Sequence, residues 1–235
     1  MSAERDERRP DAADTLGVSG ADAHQAVLRS RTTYERATLD EVSVDADPFA
    51  QFQNWLDAAL ATPEIVEPNA MTVATADADG RPSARIVLLR RWDERGFVFF
   101  TNYESRKGAE LDARPYAALL FWWGILQRQI RIEGAVARVA AHESDEYFST
   151  RPRGHRLSAW ASPQSRVVTG TKPLADAMRE AESRFPSDVP RPPYWGGYRI
   201  IPDRFEFWQG RPNRVHDRIA YARLRDGWSI ARLAP

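Results

Sequence analysis

Apolar and polar positions follow two rhythms along this chain. From Met71 onward short runs alternate with period two, in MTVATA, ARIVLLRRW and FVFFTN, separated by DADGRP and DERG. The Asp-Gly and Arg-Gly pairs in those separators are turn signals, so the stretch predicts antiparallel hairpins. Upstream, DADPFAQFQNWLDAALA sets Phe49, Phe52, Trp55 and Leu56 at helical spacing behind Asp47 as cap and Pro48 at the first helical position. That apolar face is expected to pack on a sheet. A further helix is predicted from Ser105 to about Ala113, stopped by Pro115 and followed by the strands YAALLFWW and QRQIRIEGAVARVA. Helices are expected near His142 to Thr150 and Leu174 to Phe185, and the last third returns to strands in GGYRIIP, RFEFWQ, NRVHDRIAYAR and WSIARL. Mainly antiparallel strands with helices inserted between them predict a barrel-like α+β fold. No GxGxxG turn follows a strand, which argues against a Rossmann cofactor site.

Residues 1 to about 25 mix charge with Ala, Ser and Gly and hold few large apolar side chains. They read as a mobile tail, leaving residues 26–235 as a single domain. Lys plus Arg and Asp plus Glu are both 33, so no overall field recruits nucleic acid or an anionic membrane, and any anion site must be built locally. The absence of cysteine removes disulfides, thiolate nucleophiles and Cys-ligated metals. The longest apolar run, Tyr116 to Leu126, is far short of a membrane span, and the N-terminus lacks the apolar stretch of a secretory signal. A cytoplasmic protein without membrane or nucleic-acid partners is expected.

Four segments carry candidate chemistry. In TNYESRKGAEL, Ser105 can cap a helix whose first turn holds Arg106 and Lys107, one of only two lysines. Cations there oppose the helix's positive end unless an anion lies between them, which points to a phosphate cradle; a solvated basic turn is the plainer alternative. In ARIVLLRR, an extended strand turns Arg85, Val87 and Leu89 one way and Ile86, Leu88 and Arg90 the other, so each Arg could reach a buried anion or merely water. In DEYFSTRPRGH, Tyr147 and Arg151 share a helix face that Pro152 should end, as a phosphate clamp or an ordinary surface pair. In EFWQGRPNRVHDR, a strand over NRVHDR would project Arg214, His216 and Arg218 from one face, near Trp208. That row suits a planar anionic ligand, and a basic edge strand guarding against aggregation is the alternative.

Taken in order, RIVLLR, FTN, SRKG, RQIRIEG, YFSTRPR, WASPQS, YWGGYR, EFWQG, RVHDR and the terminal WSIARLAP resemble the pyridoxine/pyridoxamine 5′-phosphate oxidase family from about Arg31 to Pro235. The resemblance implies a homodimeric FMN-binding split β-barrel with cofactors at the subunit interface. Motif by motif, it implies FMN contacts at Arg85, Ile86, Val87, Leu88, Leu89, Phe100, Thr101, Arg106, Lys107, Gln129, Gln164, Ser165, Trp208 and Arg218. It implies substrate contacts at Arg90, Tyr147, Arg151, His155, Arg214 and His216, with Arg31 and Tyr34 as an N-terminal lid. Two positions depart from the family pattern: Arg90 stands where it has Lys, and His155 where it has Ser. Both changes alter how an anion would be gripped.

The implied activity is oxidation of pyridoxine or pyridoxamine 5′-phosphate, a small phosphorylated substrate, to pyridoxal 5′-phosphate. Hydride passes to FMN, and dioxygen reoxidises the flavin to give hydrogen peroxide. Arg214 and His216 are the candidate catalytic residues. Two other readings stay open at this point. One is a split-barrel flavin oxidase of secondary metabolism, of the phenazine type, acting on a substrate without phosphate. The other is a non-catalytic module that holds FMN or pyridoxal phosphate.

Overall fold

The computed structural model describes residues 20–30 and 33–235. The chain divides between Tyr34 and Glu35 into two units. The first contains α1 (Gly20–Arg29), so residues 20–25, read from composition as tail, are helical. The segment ADAHQAVLR is rich in good helix formers, and low hydrophobicity alone concealed that propensity.

The second unit is built on α2 (Pro48–Leu60), β1 (Ala70–Ala76), β2 (Pro82–Leu88), β3 (Arg91–Asp93), β4 (Gly96–Asn102), α3 (Arg106–Ala113), β5 (Tyr116–Trp123), β6 (Arg128–Arg138), α4 (Ala141–Thr150), α5 (Arg153–Ala161), α6 (Lys172–Arg184), β7 (Trp195–Gln209), β8 (Asp217–Leu224) and β9 (Gly227–Arg232). All strand pairs are antiparallel, in the order β2-β1-β5-β6-β7-β4-β3, with β8 and β9 continuing from β7. The result is a curled half-barrel, the expected split-barrel α+β fold.

Two breaks create the split. The run ARIVLLRRW is not one strand: β2 stops at Leu88, where the Leu89 N–H donates to Asn69, and the Arg90 N–H donates to the Val98 carbonyl. The chain thereby leaves β1 and joins β4, with Arg90 at the crossing. Conversely, GGYRIIP and RFEFWQ are one strand, β7, bent at Pro202 and Asp203 where its register with β6 shifts between Glu133 and Gly134. Proline lacks the N–H a continuous ladder needs, and a side chain on Gly134 would run into the Ile201 carbonyl. Before the bend β7 pairs with β4, and after it with β8.

Helix α2 plugs the concave face, entered as predicted through Asp47, whose side chain accepts the Phe49 N–H. Phe52 is fully buried, edge-on to Phe97 and Phe121 at centroid distances of 4.9 and 5.4 Å. Trp55 meets Phe207 at 5.3 Å, and Phe49 stacks on Phe97 at 5.6 Å. One helix thus ties β4, β5 and β7 together. Replacing Phe52 by Ala should destabilise the protein by about 3–5 kcal/mol. Denaturant titration of the purified protein measures this; a loss of under about 1 kcal/mol would mean the plug carries little of the core.

Candidate active site

A cleft of about 570 Å³ opens where β2 faces β4. Arg85, Ile86, Val87 and Leu88 of β2 form one wall, Phe100 and Thr101 of β4 the other, and Lys107 of α3 closes one end. Arg90, Tyr147, Arg151, His155 and Gln164 complete the expected lining. Thr150, Pro152 and Trp195 were not expected there. Trp195 pairs with Asn102 at the end of β4, and the glycines after it are the signal that could have marked it: a Cβ on Gly197 would strike the Phe100 ring. Phe100, Tyr147 and Trp195 lie almost parallel, with Phe100 4.1 Å from Tyr147 and 5.6 Å from Trp195.

At the α3 end, Ser105 caps the helix as predicted, accepting the Gly108 N–H. The Lys107 ammonium is buried, donating to Thr101 Oγ1 at 3.1 Å and Gln164 Oε1 at 3.0 Å. Burial, and then the nearby Arg85, pull its pKa down to about 8 against the opposing pull of Glu110. Glu110, which sequence reasoning missed although it lies one helical turn beyond Arg106, is 4% exposed. It accepts from Ser83 at 2.6 Å, Arg106 Nε at 2.8 Å and Arg85 at 3.2 Å, and also from Thr75. Burial would raise its pKa, but these bonds outweigh burial and hold it at about 2. Arg106 pairs with Glu110 and is not among the residues lining the cleft, whereas Lys107 and Arg85 are.

At the other end, α4 stops at Thr150, and Arg151 adopts an extended backbone as its cap. Pro152 then begins α5, a helix not anticipated from the sequence, which carries His155 in its first turn. The Arg151 guanidinium lies 4.6 Å over Trp195, and its buried Nη1 has no hydrogen-bond partner among the described residues. Burial lowers its pKa; Tyr147 opposes this and Arg90 adds to it. Arg90 lies 5.7 Å over the Tyr147 ring. Among the described residues, no carboxylate lines the cleft. Cations gathered in this way, one with an unsatisfied buried donor, suit a ligand bearing phosphate.

A second group of expected residues lies outside the cleft lining. Cross-strand pairing aligns Trp122 with Gln129, Gln129 with Trp208, and Trp208 with Arg218. Arg218 donates to buried Glu206 at 2.8 Å, and Trp208 lies 4.6 Å from the His216 ring. The expected strand over NRVHDR is not formed. Pro212–Arg214 is a 3₁₀ turn with Asn213 and Arg214 at positive φ, and β8 begins only at Asp217, so Arg214 and His216 do not alternate with Arg218 on one strand face. Proline at 212 and the cross-turn bond from the Arg211 N–H to His216 Nδ1, 3.1 Å, favour the turn. Burial, and then Arg214, lower the His216 pKa, with Asp217 opposing. Leu89 belongs to the core at 3% exposure, and Ser165 adopts positive φ outside the lining. Tyr34 belongs to the first unit, and Arg31 lies outside the described residues.

Residues 57–185 match the family described as Pyridoxamine 5'-phosphate oxidase, and residues 195–235 match the Pyridoxine 5'-phosphate oxidase C-terminal dimerisation region. The chain is 57% identical over 208 residues to a pyridoxine/pyridoxamine 5'-phosphate oxidase of Burkholderia multivorans, covering 87% of this chain and 97% of the relative. It is 58% identical over 207 residues to the protein of that name in Cupriavidus taiwanensis, with the same coverage. Among solved structures, PhzG from Burkholderia lata 383, in complex with tetrahydrophenazine-1-carboxylic acid, superposes with a TM-score of 0.80 at 30% identity, covering 87% of this chain and 100% of that one. An FMN-binding protein from Nostoc punctiforme shares the fold, with a TM-score of 0.62 at 18% identity over 78% of this chain and 97% of that one. The split barrel with a cation-lined cleft at its open seam places the chain in the class of split-barrel oxidases. The chain belongs to the pyridoxamine 5'-phosphate oxidase family and is an oxidoreductase. Among the described residues no helix is long and apolar enough to cross a membrane.

Because an anion favours protonated Lys107, affinity for a phosphate monoester should fall as pH rises through about 8. The phosphate is already dianionic over that range. Titration calorimetry with FMN between about pH 7 and 9.5 should show the decline in the parent and its absence in Lys107→Ala. A parent profile flat over that range would place the phosphate away from Lys107.

Proposed function

We propose that this enzyme binds FMN and oxidises pyridoxine 5′-phosphate or pyridoxamine 5′-phosphate to pyridoxal 5′-phosphate, reducing dioxygen to hydrogen peroxide. The observation that carries the reading is the carboxylate-free cleft in which Arg151 keeps a buried, unsatisfied Nη1 beside Arg90. The names of relatives at 57–58% identity support the same chemistry.

In this reading Lys107 and Arg85 hold the flavin phosphate, with Thr101 and Gln164 fixing the ammonium. Bound there, FMN would supply the hydride acceptor and the route of electrons to dioxygen. Arg151, Arg90, Tyr147 and His155 hold the substrate phosphate at the far end of the same cleft. The Phe100, Tyr147 and Trp195 stack forms a rigid aromatic floor between the two anion sites. Arg214 and His216 contact the substrate ring from a second chain, whose Gln129, Trp208 and Arg218 contact FMN. Since His216 Nδ1 accepts the Arg211 N–H, its ring proton sits on Nε2, which makes His216 a donor to the polar edge of the substrate. Such a site is completed by a homodimer, consistent with the match of residues 195–235 to a dimerisation region.

The likeness to PhzG favours a second reading, an oxidation of a tricyclic acid without phosphate. Dependence on the phosphate separates the two. Peroxide release should be robust with pyridoxine 5′-phosphate and weak with pyridoxine, and Arg151→Ala should raise KM for the phosphorylated substrate by about 10- to 100-fold. Equal kcat/KM for pyridoxine and its phosphate would overturn the proposal. Mixing the impaired Lys107→Ala and Arg214→Ala variants under conditions of subunit exchange should raise turnover to about a quarter of the parental value, because half the dimers then hold one intact composite site. Heterodimers verified by mass that turn over no faster than the separate variants would place each site within one chain.

A further inference from the structure

The turn from Gly210 to His216 holds two consecutive left-handed residues, Asn213 at φ 56° and Arg214 at φ 63°, neither of them glycine. An L-residue in that region crowds its own Cβ against the backbone, so a pair persists only where surrounding contacts hold it. Those contacts cluster at the base of the turn. The Arg211 N–H donates to His216 Nδ1, and the Arg211 guanidinium faces Asp217 Oδ2 at 3.3 Å. Asp217, the first residue of β8, is paired across the sheet with Gln209, and its side chain is 17% exposed. Its Oδ2 also accepts the Leu39 N–H at 3.0 Å, and its Oδ1 accepts Arg232 Nη1 at 2.8 Å. Arg211 in turn donates to the Ala37 carbonyl at 3.2 Å.

We infer that Asp217 is a positioning residue that holds Arg214 and His216 in their working geometry, acting through Arg211. This rests on the roles given above to Arg214 and His216. One carboxylate draws together the turn, the segment after Ala37 and the C-terminal strand β9, and its charge is what orients two arginines at once. Released from it, Arg211 loses its anchor, the bond to His216 loosens, and Arg214 relaxes out of the left-handed region.

Asp217→Asn is the informative variant, since the amide keeps the shape and an acceptor for the Leu39 N–H while removing the charge. In the FMN-loaded enzyme with pyridoxine 5′-phosphate, kcat should fall by about 10-fold or more, with flavin occupancy and KM within about twofold of the parent. In an Arg214→Ala background, the same change should lower kcat by less than about twofold further, because both act on one group. A purely structural loss would instead multiply with the Arg214→Ala defect. If Asp217→Asn fails to fold, Arg211→Ala breaks the clamp from its other side and carries the same expectations. Parental kcat in Asp217→Asn alongside an impaired Arg214→Ala, or fully multiplicative defects, would overturn the inference alone. Parental kcat in Arg214→Ala would overturn the reading of the site as well.

Discussion

A sheet that curls without closing is the constraint from which the rest follows. Between Leu88 and Arg91 the chain transfers from pairing with β1 to pairing with β4, leaving a seam between β2 and β4. A closed barrel would fill that seam with ladder hydrogen bonds. Left open, it exposes side chains of β2 and β4 to a cleft, while α2 supplies the aromatic core that lets the two sheet edges stand apart.

Charge is organised around this seam by pairing some cations and leaving others unpaired. Glu110 is buried under Arg85 and Arg106, and Glu206 under Arg131 and Arg218, so four arginines are oriented by two desolvated carboxylates. Arg151 has no such partner at its buried Nη1, and Lys107 has only neutral acceptors. In a chain with equal numbers of acidic and basic residues, this asymmetry is local and deliberate in its effect: it concentrates uncompensated positive potential where the cleft is.

Most of the strand pattern was legible because period-two alternation and the Asp-Gly and Arg-Gly turns are local signals. So were the α2 cap at Asp47 and the α3 cap at Ser105. The features that escaped depend on contacts distant in sequence. The break at Arg90 is set by pairing with Val98, and the single bent β7 by a register shift opposite Gly134. Helix α5 follows directly on a proline that also ends α4, so one punctuation mark served two helices. The turn at Arg214 imitates a strand in sequence, since Arg214, His216 and Arg218 do alternate, and only its left-handed backbone distinguishes it. Twelve of the expected contact positions meet in one cleft. Glu110, which pairs with Arg85 of that cleft, and Asp217, which pairs with Arg211 and Arg232 outside it, are carboxylates that the motifs around them did not single out.

The central claim is that two anion sites, separated by an aromatic stack, share the open seam. A crystal structure of the protein grown with FMN and pyridoxal 5′-phosphate tests it most directly. The account predicts the flavin phosphate within hydrogen-bond distance of Lys107 and Arg85, and the second phosphate against Arg151 Nη1 and Arg90. Either phosphate seated away from these cations, with Arg151 Nη1 still unsatisfied, would contradict it.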